Sequence, residues 1–173
     1  MHWFILTLAV LASSAEAAIK SFQWDMSYIN ASPDGVSRPV IAINGVWPPA
    51  PVWVDKGDDI VINVVNHLND GEYVSLHTHG IFQNGTTYYD GVPAVSQWYD
   101  FSEHTDDSAI APGYSFTYEF GLGEQTGTYW IHSHIKGQYP NGLRAPFIIR
   151  DPDTPYKYDD EIVLSVSDWV SLL

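Results

Sequence analysis

No stretch of this chain repeats its apolar residues at the helical period over a useful length. Short runs rich in Val, Ile, Thr, Tyr, Phe and Trp recur instead, each stopped by Gly, Pro, Asn or Asp. β-Branched and aromatic side chains suit a pleated, half-buried surface, and the breakers supply the turns between such surfaces. This restricts the chain to an all-β fold. The predicted strands are Ile19–Tyr28, Val40–Ile43, Asp59–Asn66, Val74–His79, Ser115–Phe120, Gly127–His132, Ala145–Arg150 and Glu161–Val166. Ile60, Ile62 and Val64 alternate with Val61, Asn63 and Val65, as on a strand with one well-buried face. Asn44-Gly45 and Asn84-Gly85 favour positive φ, and Pro112-Gly113 sets a turn before the next strand. Many strands at near-regular spacing argue for a Greek-key sandwich or barrel. With 173 residues, the chain can build one domain with a real core.

Charge and composition exclude some functions. Twenty-one acidic residues face seven basic ones, a formal charge of −14, which argues against nucleic-acid binding. Most of these acids read as solvated, notably Asp106-Asp107, Asp151 with Asp153, and Asp159-Asp160-Glu161 in turn-like segments. The apolar run from Trp3 to Ala12 is too short to span a bilayer, and Ala15-Glu16-Ala17 supplies a small-X-small cleavage signal. We therefore expect a signal peptide over 1–17, one domain over 18–169, secretion, and no membrane segment. Asn84-Gly85-Thr86 is an acceptor for N-glycosylation, and Asn30-Ala31-Ser32 is a weaker one before Pro33. The chain has no cysteine.

Two His-X-His pairs carry the chemistry: His77-Thr78-His79 and His132-Ser133-His134. Alternation on a strand turns both histidines of each pair to one face. Two such strands side by side present four imidazoles to one small volume, and neutral imidazole suits copper and zinc. His2 lies in the leader, His67 follows a strand and His104 sits in an acidic loop, so these three read as ordinary.

The surrounding residues extend the pattern. The segments Ser37-Arg38-Pro39-Val40, Asn44-Gly45 with Trp47-Pro48, and Lys56-Gly57-Asp58 precede Leu76-His77-Thr78-His79-Gly80-Ile81-Phe82-Gln83-Asn84-Gly85. Asp90-Gly91-Val92-Pro93 follows, then Gly127-Thr128-Tyr129-Trp130-Ile131-His132-Ser133-His134 with Gly137-Gln138-Tyr139. From Ile19 to Trp169 the chain resembles the first domain of a multicopper oxidase, closest to fungal iron-uptake ferroxidases and related laccases. The resemblance implies a cupredoxin domain, a Greek-key β-sandwich also called plastocyanin-like. It implies copper at a trinuclear cluster that reduces O2 to water, with electrons from a reducing substrate, Fe(II) or a phenol. His77 would take the type 2 position, and His79, His132 and His134 the type 3 pair. Asp90 matches a carboxylate that helps deliver protons near the type 2 site, chemistry that suits a carboxylate beside bound metal and water. Tyr129, Trp130 and Phe82 read as core packing, and Gly80 and Gly91 as points of close backbone approach or turns.

The departures matter as much. The electron-accepting type 1 copper of the family needs a thiolate, which this chain lacks, and the remaining cluster histidines belong to C-terminal cupredoxin domains. The resemblance thus implies a truncated product, inactive alone, with half a trinuclear cluster. Where the family reads Gln-Cys-Pro-Ile-X-Pro-Gly, this chain reads Gln97-Trp98, then 99–108, then Ala109-Ile110-Ala111-Pro112-Gly113. Residues 170–173 also diverge. Two readings stay open for both segments: real protein, or translated intron, since Val170-Ser171 can be encoded as a 5′ splice signal. For function, the alternatives to an oxidase domain are a stand-alone secreted copper-binding module without turnover, and an exposed face that aggregates.

Overall fold

The computed structural model describes residues 17–97 and 109–170. Its strands are β1 (Ile19–Ala31), β2 (Arg38–Ile43), β3 (Val52–Asp55), β4 (Asp59–Asn66), β5 (His77–His79), β6 (Ser115–Gly121), β7 (Gly127–His132) and β8 (Arg144–Arg150). They form two mixed four-stranded sheets, in the orders β2-β1-β4-β6 and β3-β8-β7-β5. After β2 the chain changes sheet at each connection until β7, giving the Greek-key sandwich of cupredoxin type. Each sheet contains one parallel pair, β1 with β4 at the centre of the first and β3 with β8 at the edge of the second. Among the described residues no helix is long and apolar enough to cross a membrane.

The core follows from alternation. Ile60, Ile62 and Val64 on β4 and Phe116, Tyr118 and Phe120 on β6 point inward from one sheet. Val52 and Val54 on β3 and Ala145, Phe147 and Ile149 on β8 answer from the other, in one continuous cluster. The rings of Phe120 and Phe147 meet across it with centroids 6.5 Å apart. Burial of this apolar area is the main force holding the sheets together.

β4 and β7 have the expected bounds. The strand reading needs correction at three places. The segment 161–166 forms no strand: Ile162, Leu164 and Val166 are 75%, 85% and 98% exposed, with no ladder partner among the described residues. β3 was not anticipated, because four residues between Pro51 and the Lys56-Gly57 turn give too short a pattern to read. The predicted strand from Val74 narrows to β5, with Val74 reduced to a single bridge to Ile110. Residues 1–16 of the expected leader with His2, the segment 99–108 with His104, and residues 171–173 lie outside the described residues.

Candidate metal centre

β5 is three residues long and pairs antiparallel with β7, in a register that sets His77 opposite His132 and His79 opposite Trp130. His79 and His132, 53 residues apart in sequence, thus become neighbours. One ring nitrogen each of His77, His79 and His132 lie within 4.8 Å of one another.

Hydrogen bonds set the tautomers. His77 Nδ1 donates to the Asp90 carbonyl oxygen at 2.7 Å. A carbonyl only accepts, so this nitrogen carries a proton and Nε2 is the nitrogen left to face a metal. His132 Nδ1 likewise donates to the Ser133 carbonyl at 2.8 Å. His132 is 5% exposed, and burial, helped by the three neighbouring histidines, pulls its pKa down to about 4, so the ring is neutral at ordinary pH. His79 Nδ1 lies 3.3 Å from His132 Nε2. Two nitrogens bonded to one ion at about 2 Å sit roughly 3 Å apart, so this pair already has the separation of two ligands.

His134 is the predicted ligand that does not join the triad. β7 ends at His132, and Ser133 turns inward, bonding Leu143 and Gln138. His134 leaves the ladder, donates its backbone N–H to Ser75 Oγ at 3.3 Å, and is exposed. Its ring stays close, with centroids 5.6 Å from His77 and 6.1 Å from His132. His67 instead faces Asp25, at 3.5 Å.

Asp90 follows the short 3-10 helix Thr87–Tyr89 and also brings its carboxylate Oδ1 to 3.3 Å from His77 Nδ1. Gly91 makes this approach possible. It has φ +76°, and a Cβ there would stand 1.7 Å from the Leu76 carbonyl oxygen.

Supporting residues escaped the sequence reading. Tyr118, fully enclosed on β6, accepts from the Leu76 N–H at 2.9 Å and donates to Gln97 Oε1 at 2.8 Å, anchoring the residue before His77. Gln125 accepts from Phe82 N–H and donates to Gly80 O, clamping the exit from β5. A tyrosine in the apolar row of Phe116 and Phe120 was the available signal, because a buried hydroxyl needs partners. Phe82, expected in the core, is 82% exposed, since the turn after Gly80 points it outward. Trp130 is also not part of the core cluster; its ring stacks on His132.

The sandwich and its converging imidazoles define a cupredoxin-type domain with a histidine site suited to a transition metal. Residues 25–154 match the family described as multicopper oxidase, and the chain belongs to that family. It is 47% identical over 162 residues to the iron transport multicopper oxidase FET3 of Gibberella zeae, covering 92% of this chain and 24% of that protein. It is 37% identical to Laccase-4 of Thanatephorus cucumeris over 170 residues, covering 94% of this chain and 30% of that one. The crystal structure of Fet3p, a multicopper oxidase that functions in iron import, superposes with a TM-score of 0.71 at 41% identity, covering 82% of this chain and 25% of that one. The chain thus spans about a quarter of the length of these iron-transport relatives. The family binds copper, and the donor set fits it: three converging imidazoles, two of them oriented by hydrogen bonds to backbone carbonyls.

Proposed function

We propose that this chain is the first domain of a multicopper oxidase and supplies His77, His79, His132 and His134 to a copper cluster that reduces O2 to water. His77 is assigned to the type 2 position and the other three to the type 3 pair. The observation that carries the reading is the convergence of three imidazole nitrogens within 4.8 Å. Copper held there supplies one-electron redox chemistry. The chain's residues do the rest: Asp90 orients His77 through its carbonyl, and its carboxylate, 3.3 Å from the ring, is placed to hold a proton bound for reduced oxygen. Relatives named for iron transport at 47% identity support Fe(II) over a phenol as electron donor. This stretch has no cysteine, so the thiolate of an electron-accepting copper comes from elsewhere, and the chain alone is inactive as an oxidase. The leader directs secretion, and exposed Asn84 is the glycan acceptor.

Copper titration of the purified chain, with metal analysis and an O2 electrode in the presence of Fe(II), tests this. The expected result is bound copper, its loss in His79→Gln and His132→Gln, and no O2 uptake. Failure to bind copper removes the site. O2 uptake removes the claim that the chain is incomplete as a catalyst. Copper bound with no further domain encoded downstream, as cDNA would reveal, favours the stand-alone binding module.

A further inference from the structure

Trp130 stands on β7 two residues before His132, so alternation turns both side chains to one face. Their rings stack with centroids 3.9 Å apart and planes 24° apart. Across the ladder Trp130 is paired with His79, and those rings stack at 5.5 Å and 27°. One indole therefore lies against two of the three converging imidazoles. Tyr139 closes a further side, edge-on to Trp130 at 5.6 Å and to His132 at 5.4 Å.

The backbone does not fix an imidazole plane, because the terminal torsion of histidine is broad. For His77 and His132 a hydrogen bond from Nδ1 to a carbonyl does so. His79 has no such anchor among the described residues. Its Nδ1 faces His132 Nε2, and its ring is exposed. The flat surface that sets its plane is Trp130.

We propose that Trp130 is a positioning residue of the metal centre: by stacking on both rings it holds His79 Nδ1 and His132 Nε2 aimed into one coordination space. The role toward metal rests on the copper reading above; the ordering of the rings does not. Trp130 touches no substrate and gives up no electron in this role. It limits the rotations that a bound ion must otherwise freeze, so removing it weakens the metal by about tenfold, the lower end for partners that orient ligands.

The test compares the wild-type chain with Trp130→Phe, which keeps a flat ring, and Trp130→Leu, which keeps bulk alone. In the metal-free protein, aromatic proton–carbon NMR reads the ring protons of His79 and His132. The expected result is an upfield shift in wild type, a smaller one in Trp130→Phe and none in Trp130→Leu. Competition with a chelator of known copper affinity reads the second effect: about tenfold weaker Cu(II) binding in Trp130→Leu, largely restored in Trp130→Phe. Backbone amide spectra of β4 verify that each variant is folded. Should Trp130→Leu not fold, Trp130→Phe decides: ring shifts retained with copper near wild type support the proposal, and a folded Phe variant tenfold weaker overturns it. Wild-type shifts and affinity in a folded Trp130→Leu overturn it outright. If wild type takes up no copper yet the histidine shifts vanish in Trp130→Leu, the copper reading falls, and with it the proposed role toward metal, while the stacking of the rings stands.

Discussion

At the residue scale, the proposed metal centre depends on a contact that only glycine permits. Asp90 reaches His77 because the next residue, Gly91, lets the loop lie against the start of β5. Gly91→Ala adds a methyl 1.7 Å from the Leu76 carbonyl oxygen at φ +76°. Overpacking and left-handed backbone together cost about 3 kcal/mol. We expect a lowered melting temperature and weakened copper binding, because His77 loses the carbonyl that fixes its tautomer. A melt and titration matching wild type would mean that the loop has another way to lie. Sequence alone marked Gly91 as a point of close approach or a turn. It did not identify Leu76 as the neighbour, since a contact between residues so far apart exists only once the strands are placed. The same limit applies in part to Trp130: alternation along β7 puts it on the face of His132, but its contact with His79 depends on the register of β5 against β7.

At the element scale, β5 is too short to hold itself, and its neighbours hold it. Tyr118 anchors Leu76 just before it, and Gln125 clamps Gly80 just after it. Tyr118→Phe leaves the Leu76 N–H and Gln97 Oε1 without their partner in a dry core. The cost is about 1–3 kcal/mol, with faster amide exchange at residues 76–79 than in β4; uniform exchange would show that Tyr118 serves the whole sandwich rather than β5. Asn66 performs the same service at the end of β4. Fully buried, it donates to the carbonyls of Glu72 and Ile110 and accepts from the Leu68 N–H. Asn66→Ala should cost roughly 3 kcal/mol in chemical denaturation, with the loops around Glu72 and Ile110 loosened first; a loss below about 0.5 kcal/mol would place those bonds in the unimportant class. Strands were legible where alternation met a partner: β4 pairs on both sides and matches its expected bounds. In 161–166 the alternation is equally good, but a strand also needs a ladder, and sequence cannot supply one.

At the scale of the whole molecule, the proposed metal centre ties β5 to the last residue of β7. Its donors are neighbours only in the folded sandwich, since His79 and His132 are 53 positions apart in the chain. An unfolded chain offers scattered imidazoles with far weaker affinity, so copper bound here is linked to folding. With free copper at about a hundred times the dissociation constant, linkage contributes roughly 2.7 kcal/mol. For a domain of this size each kcal/mol moves the midpoint by about 2–4 °C, giving a rise of roughly 5–10 °C. The shift should appear with Cu(II), vanish on adding a chelator, and shrink in His132→Gln, whose missing nitrogen is the most buried of the three donors. A Cu(II) shift of equal size in His132→Gln would mean that the ion binds elsewhere, with the acidic surface as the first place to look. Stoichiometric binding with no shift at all would mean that the unfolded chain holds copper as well as the fold does, and preorganisation of the histidines by β5 and β7 would then count for nothing.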